Sequence, residues 1–133
     1  MIALGGGVIG DLAGFVASTY YRGMNLIHVP TTMTAMIDSS IGGKVAINFR
    51  KTINAVGNYY HPILNVVDCD FLDTLPMRDY IAGLAEIIKC AVIADEKLFR
   101  FLGVQTAPLD RFLLLNSKST LHRTQQVVDS LPP

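Results

Sequence analysis

The apolar residues of this chain form short runs that are separated by glycines, prolines and polar residues. Three runs rich in Ile, Leu and Val have turn-forming residues beside them, as expected for buried strands: Met1–Leu4, Asn25–Val29 and Ile63–Val67. Between the first two runs, the stretch Ile9–Tyr20 is uncharged from Leu12 onward and predicts a packed helix. This succession of strand, helix and strand indicates an α/β unit over residues 1–75.

The pattern changes after Pro76, where no further strand is predicted. Asp95 is suited to cap a helix, Gly103 to end one, and Pro108 to begin another. Three helices are therefore predicted: Met77–Ala94, Glu96–Leu102, and Leu109 to about Val128. The first is apolar on almost every side, which predicts burial on several sides. Residues 76–133 are accordingly expected to form a second, all-helical part.

A glycine-rich stretch, Gly5–Asp11, joins the first predicted strand to the first predicted helix. Glycines let the backbone approach a phosphate closely, and the free N–H groups of a helix start point towards it. Gly5, Gly7 and Gly10 also satisfy the pattern G-x-G-x-x-G. A dinucleotide fingerprint requires an acid about 20 residues further on, and no acid follows until Asp38. An anion cradle and a simple glycine turn therefore remain as alternatives at this stage.

A second strand exit follows at Pro30, and two threonines come directly after it. Thr31 or Thr32 is expected to cap the helix that follows, because a hydroxyl accepts hydrogen bonds from the first N–H groups of a helix. The polar, glycine-rich stretch Asp38–Lys44 is predicted to be a loop, and Val45–Phe49 a short extended segment.

Composition excludes several classes of function. The chain has 11 basic and 11 acidic residues, so its charge balance does not suggest a nucleic acid or an anionic membrane as a partner. No stretch is predicted to cross a membrane, and the first residues lack the basic start of a signal peptide. Cys69 and Cys90 lack metal-ligand spacing and are expected to be buried, reduced thiols of a cytoplasmic protein.

Five stretches, taken in order, resemble the 3-dehydroquinate synthases and the related sugar-phosphate cyclases. They are GGGVIGDLAGF (Gly5–Phe15), YRG (Tyr21–Gly23), VPTT (Val29–Thr32), DSSIGGK (Asp38–Lys44) and GLAEIIK (Gly83–Lys89). The resemblance extends from about residue 2 to about residue 102. One such stretch is a weak signal, but five in the same order are highly specific.

The resemblance implies both a fold and a reaction. The fold would be the C-terminal part of a Rossmann-like NAD-binding domain over residues 1–75, followed by the start of an all-helical domain that holds zinc or cobalt. The reaction would convert 3-deoxy-D-arabino-heptulosonate 7-phosphate to 3-dehydroquinate with release of phosphate, in a homodimer. Such chemistry needs a phosphate cradle, a metal to polarise an alcohol or a ketone, and cations around a dianion.

The resemblance also implies roles for individual residues. Asp38, Lys44 and Lys89 would stand in the active site, and Glu86 would be a metal ligand. Arg22, otherwise a surface charge, would reach the substrate phosphate of a neighbouring subunit, a task suited to a guanidinium group. The implied cofactor-binding residues are Gly5, Gly6, Gly7, Asp11, Thr31, Thr32, Asn54, Phe71, Thr74 and Leu75.

Ordinary structural roles are the alternative for most of these residues. Asp11 is placed in the first helical turn, where an acid simply favours the helix dipole. Asp38 and Lys44 would form an exposed ion pair worth little stability. Glu86 and Lys89 would form an intrahelical pair, since residues three apart share a helix face.

The chain also departs from the family pattern. The family has Gly-Lys-Asn where this chain has Thr52-Ile53-Asn54, so Ile53 replaces a cofactor-side lysine and Lys51 is a candidate substitute. A catalytic lysine of the family is expected near Arg123 or Thr124. The three histidines do not match metal ligands: His28 is predicted to lie in a strand, and His61 and His122 to be mostly exposed.

These departures leave three hypotheses. The family's downstream glutamate, arginine, asparagine and two metal-binding histidines have no counterpart here, so the resemblance predicts a fragment whose isolated chain is inactive. The leading hypothesis is a 3-dehydroquinate synthase, which Ser39–Lys44 favours. Val45 and Ile53 leave open a cyclase that makes a deoxy-inosose or a valiolone. The third hypothesis is a non-catalytic remnant that binds a nucleotide or a partner subunit.

Overall fold

A computed structural model describes residues 1–105 of the chain. Its strands and helices, named in chain order, are β1 Ile2–Gly5, α1 Gly7–Thr19, β2 Ile27–Pro30, β3 Lys44–Phe49, β4 Thr52–Tyr59, β5 Leu64–Asn65, α2 Met77–Ala94 and α3 Glu96–Gln105. Three short helical segments lie between them: the 3₁₀ turn Tyr20–Arg22, the π-helix Ala35–Ser39 and the 3₁₀ helix Cys69–Thr74. The structure is thus mixed α/β, as predicted.

Strands β1, β2 and β5 form a parallel sheet in the order β1-β2-β5. Helix α1 covers one face of this sheet, and Ala3, Ala17 and Leu26 are buried between them. In the register, Gly5 at the end of β1 lies opposite Pro30 at the end of β2. The carboxyl ends of both strands therefore meet at one edge, which is the edge where ligands bind in open α/β sheets.

The β3–β4 hairpin is a separate, antiparallel two-stranded sheet that packs on α1. The predicted extended segment Val45–Phe49 is confirmed as most of β3. The prediction of a loop over Asp38–Lys44 was partly wrong. Asp38 and Ser39 are the last two residues of the π-helix, and Lys44 is the first residue of β3. Strand β4 was not predicted from the sequence, and every residue of this strand is exposed.

The larger hydrophobic core joins the π-helix region to the two C-terminal helices. Its buried members are Met33, Met36, Ile37, Leu72, Tyr80, Leu84, Ile87, Ala91, Leu98 and Leu102. The contact is closest at Gly83 of α2, where an added Cβ would lie 2.4 Å from the side chain of Met33. This core contains residues from both sides of Pro76, and the division into two domains at that point stays a prediction.

The helical boundaries after Pro76 follow the sequence closely. Helix α2 has the predicted bounds Met77–Ala94, and Asp95 caps α3 by accepting hydrogen bonds from the N–H groups of Lys97 (2.9 Å) and Leu98 (3.0 Å). Gly103 does not end this helix, which continues to Gln105. Strand β5 is shorter than the predicted Ile63–Val67. The predicted helix Leu109 to Val128 lies outside the described residues.

The prediction that α2 is buried on several sides was wrong for the part of the chain that is described. One face of α2 is buried, while Val92 (65% exposed) and Ile93 (68% exposed) lie on the surface. Cys90 is buried and Cys69 partly buried, and neither forms a disulfide. Within residues 1–105, no helix combines the length and the apolarity needed to cross a bilayer.

We expect Gly14 to be essential for the packing of the hairpin on α1. A Cβ at Gly14 would lie 2.3 Å from Cγ1 of Val45, so Gly14→Ala should destabilise the fold by about 1–3 kcal/mol through overpacking. Gly103→Ala is the matched control, because a Cβ there meets no described atom within 4 Å. That variant should be stabilised by roughly 0.5–1 kcal/mol, since alanine favours a helix interior over glycine. Urea unfolding compares the two, and equal effects would contradict this account.

Candidate functional site

The candidate site lies at the carboxyl edge of the parallel sheet. The glycine loop follows β1, and Thr31 follows β2. The two exits are tied together, because the N–H of Thr31 donates a hydrogen bond of 2.9 Å to the carbonyl oxygen of Gly5. The π-helix Ala35–Ser39 then runs alongside the loop and brings Ser39 near Gly7. Residues from three segments of the chain thus converge here.

The start of α1 has the features of an anion cradle. Gly6 is the N-cap and offers no side chain to the first N–H groups, and the first turn contains no acidic residue. A helix start leaves such N–H groups without intrahelical partners, and they favour an anion. A Cβ at Gly6 would lie 3.0 Å from Cγ2 of Thr32, and one at Gly7 would lie 3.3 Å from Oγ of Ser39. Side chains at these positions would fill the space in front of the helix.

Asp11 does not lie in the first turn of α1, which corrects the sequence-based placement. The helix begins at Gly7, two residues earlier than expected, so Asp11 belongs to the second turn. There it is partly buried and lines a groove, where the helix dipole has little effect. Burial, followed by the nearby Asp38 carboxylate, raises the pKa of Asp11 above its usual value of 3.8. The favourable effect of the helix dipole on an acid in the first turn therefore does not explain why an aspartate occupies position 11.

Lys89 of α2 meets two carboxylates from different parts of the fold. It forms an ion pair with Glu86 one turn earlier on the same helix, and its Nζ lies 3.9 Å from Oδ1 of Asp38 on the π-helix. The hydrogen bond to Glu86 is the main cause of a raised pKa for Lys89. The intrahelical pair that the sequence suggested is present, and Asp38 adds a contact that it did not predict.

Lys44 opens the β3–β4 hairpin and faces a groove of about 370 Å³. Among the described residues it forms no ion pair, so the alternative of an exposed Asp38–Lys44 pair was wrong. Asn54 of β4 lines the same groove. The full lining is Asp11, Lys44, Val45, Ala46, Asn54, Gly57, Asn58 and Tyr59.

The threonines after β2 are held beside the glycine loop. Thr32 accepts a hydrogen bond of 3.2 Å from the N–H of Ala35, which confirms the expected cap. His28, two residues before the end of β2, is buried as predicted, and burial lowers its pKa. Its ring packs against Gly10, where an added Cβ would lie 3.2 Å from Cε1. His61 is exposed, as expected, and His122 lies outside the described residues.

The candidate residues Arg22, Phe71, Thr74 and Leu75 do not line this groove. Arg22 is exposed in a turn with a left-handed backbone (φ 67°). Phe71 and Leu75 pack against the larger core, and Thr74 donates a hydrogen bond of 3.3 Å to the carbonyl oxygen of Phe71. Their cofactor and substrate roles stay predictions.

Sequence reasoning missed several residues that border the site. Ser39 was part of a noted motif but received no role, although its hydroxyl lies beside Gly7. Gly57, Asn58 and Tyr59 were missed because β4 was missed. The two residues that join β3 to β4, Arg50 and Lys51, include no glycine, asparagine or aspartate, so they gave no signal for a hairpin turn.

The described residues alone do not fit a complete metal site. No group of three or more His, Cys, Asp or Glu side chains within residues 1–105 is arranged to hold a metal ion. Glu86 could contribute one oxygen, but it is paired with Lys89. The positive charge of the Lys89 ammonium would repel a metal ion bound at the same carboxylate. A catalytic zinc commonly has three protein ligands.

A comparison of this chain with family models identifies its family. The model described as 3-dehydroquinate synthase N-terminal matches residues 1–82. The chain belongs to the 3-dehydroquinate synthase family. The resemblance in the sequence motifs is thereby confirmed.

Curated 3-dehydroquinate synthases are similar to this chain over most of its length. It is 58% identical over 98 residues to that of Natranaerobius thermophilus, covering 74% of this chain and 27% of the relative. It is 47% identical over 131 residues to that of Prochlorococcus marinus, covering 98% of this chain and 35% of the relative. The chain thus spans between a quarter and about a third of the length of these relatives.

Solved structures of related cyclases share the fold. One is a 2-epi-5-epi-valiolone synthase from Streptomyces hygroscopicus subsp. jinggangensis 5008 with NAD⁺ and Zn²⁺ bound (TM-score 0.85, 38% identity, 95% of this chain and 36% of that one). Another is a 2-deoxy-scyllo-inosose synthase complexed with carbaglucose-6-phosphate, NAD⁺ and Co²⁺ (TM-score 0.81, 32% identity, 96% of this chain and 34% of that one). The mixed α/β fold is therefore that of sugar-phosphate cyclases.

The Asp11–Asp38 proximity predicts a measurable coupling between the two carboxylates. Asp38→Asn should lower the pKa of Asp11 towards 3.8 without reaching it, because burial is the larger cause of the raised pKa. Because folding raises this pKa, the contribution of Asp11 to stability is present below about pH 3.8 and is lost as the pH rises through the folded value. Carboxyl NMR titration measures the shift. Asp73→Asn is the control, and an Asp11 pKa that is equal in both variants would contradict the coupling.

Proposed function

We propose that this chain provides the NAD cradle and part of the substrate site of a sugar-phosphate cyclase of the 3-dehydroquinate synthase type. Its reaction would convert 3-deoxy-D-arabino-heptulosonate 7-phosphate to 3-dehydroquinate with release of phosphate, a step of the shikimate pathway. The observation that carries this proposal is the uncapped glycine start of α1, closed in by Thr32 and Ser39 at the carboxyl edge of the sheet.

The glycine cradle fits the pyrophosphate of NAD. Gly5, Gly6 and Gly7 leave room for backbone to approach the ligand, and the first N–H groups of α1 would donate to its oxygens. Thr31 and Thr32 would contact the cofactor from the adjacent strand exit, while Asp11 and Asn54 would do so from the groove. The 3₁₀ segment with Phe71, Thr74 and Leu75 would bound its adenosine side. NAD, when bound, supplies reversible hydride transfer.

The substrate end of the site would be cationic. Lys44 is unpaired among the described residues and exposed at the mouth of the groove, so its ammonium is available to a phosphate or a carboxylate. Lys89 would present a second ammonium, oriented by Glu86 and Asp38. Fixed charges of this kind stabilise charge that develops in a transition state. Arg22 of one subunit would reach the substrate phosphate of the other in a homodimer.

We also propose a divalent metal ion, zinc or cobalt, to which the described part of the chain contributes one ligand. Glu86 is the candidate ligand, and to bind a metal it would exchange its contact with Lys89 for the metal ion. The described residues do not complete a ligand set for this metal.

A second candidate function is a related cyclase that makes a valiolone or a deoxy-inosose. The likeness to the 2-epi-5-epi-valiolone synthase structure, at 38% identity, favours this alternative. The curated 3-dehydroquinate synthases are more similar, at 47–60% identity, and they favour the first. A non-catalytic chain that only binds nucleotide is the remaining alternative.

A chimaera tests the proposed reaction. The matching 131 residues of the Prochlorococcus marinus relative would be replaced by those of this chain. Phosphate release would be measured separately with 3-deoxy-D-arabino-heptulosonate 7-phosphate, with glucose 6-phosphate and with a seven-carbon ketose 7-phosphate, because a deoxy-inosose has six carbons and a valiolone has seven. Release from the heptulosonate alone supports the proposal. Release from only one of the other two sugar phosphates supports the second candidate, and a folded, NAD-binding chimaera that releases phosphate from none of the three would contradict both.

We predict that Gly7→Val abolishes detectable NAD binding. A branched side chain at this position would enter the space between the helix start and Ser39, where the pyrophosphate is proposed to bind. Isothermal titration calorimetry with NAD on the 133-residue chain measures the effect. Gly103→Val, on an exposed helical position, is the control for valine in place of glycine and should bind as the unchanged chain does. Equal NAD affinity in both variants would mean that the glycine loop is a simple turn and not an anion cradle.

We predict that Lys44→Ala in the chimaera lowers kcat/KM by about 100- to 1,000-fold. Loss of one preorganised contact to developing charge typically costs about 2.7–4 kcal/mol in the transition state. The control is Lys97→Ala, an exposed lysine of α3 whose side chain makes no ion pair among the described residues. Near-normal turnover by the Lys44 variant would refute its proposed role.

A further inference from the structure

Asn54 has an irregular backbone within β4. Its φ of 51° lies in the left-handed region, which few residues other than glycine adopt, although asparagine does so more readily than most. Asn54 also lines the groove together with Asp11 and Lys44. The irregular backbone of a residue at this position requires an explanation.

The hairpin register explains how Asn54 comes to be displaced. Ile47 pairs with Val56 and Phe49 pairs with Thr52, so Asn48 alone faces Ile53, Asn54 and Ala55. The surplus residues of β4 must bulge out of the ladder, as in other β-bulges that re-aim a side chain. Ile53 is 76% exposed, whereas Asn54 lines the groove.

One hydrogen bond closes this bulge. Oδ1 of Asn48 accepts from the N–H of Asn54 at 2.9 Å, across the hairpin. Both residues are exposed, so water could satisfy this N–H if the side chain of Asn48 were absent. The bond is therefore not needed to satisfy a buried donor. Its effect is to select one backbone conformation of Asn54 from those that an exposed bulge could adopt.

We infer that Asn48 is a positioning residue for NAD binding. Its side-chain carbonyl holds Asn54 in the left-handed bulge, so that the Asn54 carboxamide faces the groove and contacts the cofactor. This inference rests on the proposed NAD function, and it assigns a role to a residue that does not itself line the groove. The competing explanation is that Asn48 only stabilises the hairpin.

Two substitutions at Asn48 separate these explanations. Asn48→Asp retains the acceptor oxygen, while Asn48→Ala removes it. Hydrogen exchange of the Asn54 amide, measured by NMR on the 133-residue chain without ligand, reports the bond directly. Protection should be retained in Asn48→Asp and lost in Asn48→Ala. Asn25→Ala is the control for loss of an exposed asparagine, because the described contact of Asn25 uses its backbone oxygen.

NAD affinity, measured by calorimetry on the same proteins, supplies the functional readout. Asn48→Ala should weaken binding by about 3- to 10-fold, in line with the loss of one hydrogen bond. Asn48→Asp should stay within about 2-fold of the unchanged chain. Asn54→Gly should keep the bulge, since glycine accepts a positive φ, and should keep the amide protection, but it should lose affinity with the carboxamide.

Each outcome decides one question. Unaltered protection of the Asn54 amide in Asn48→Ala overturns the positioning role. Lost protection with unaltered NAD affinity also overturns it and leaves Asn48 as a stabiliser of the hairpin. If the unchanged chain binds no NAD, the proposed cofactor function of this chain fails and the inference fails with it. In that case the exchange data still show whether Asn48 controls the bulge.

Discussion

The close approach of α1 to its neighbours is the constraint on which the rest of the structure depends. One face of this helix carries only glycine and alanine, at Gly7, Gly10, Gly14 and Ala17. These positions are three or four residues apart and so lie on one side of the helix. Side chains from three different segments contact this face: Ser39 at Gly7, His28 at Gly10 and Val45 at Gly14. A larger residue at any of them would separate the loop, the sheet or the hairpin from the helix.

This packing explains why the candidate site is a convergence of segments. Because α1 touches both the strand exit and the π-helix, Thr32 and Ser39 close around its N-terminus. Because it also touches β3, Lys44 and Asn54 reach the groove that Asp11 lines. Helix α2 joins from the other side, where Gly83 contacts Met33 and Lys89 reaches Asp38. Local stability and site geometry therefore arise from the same contacts.

The elements with strong local signals could be predicted from the sequence. The bounds of α2, the Asp95 cap and the Thr32 cap depend on residues close together in the chain. Strand β4 was not predicted, because the residues that join it to β3, Arg50 and Lys51, are not the types that mark a hairpin turn. Features set by distant contacts could not be predicted either. The Asp38–Lys89 contact joins residues that are separated by much of the chain.

We propose that the first N–H groups of α1 form a pyrophosphate cradle. The most direct measurement is an NMR titration of the isotope-labelled chain with NAD, following the backbone amides residue by residue. We expect large, saturable shifts at Gly6 and Gly7 and their immediate neighbours, with Gly103 of α3 unaffected. Saturable binding that leaves the amides of Gly6 and Gly7 unshifted would contradict it.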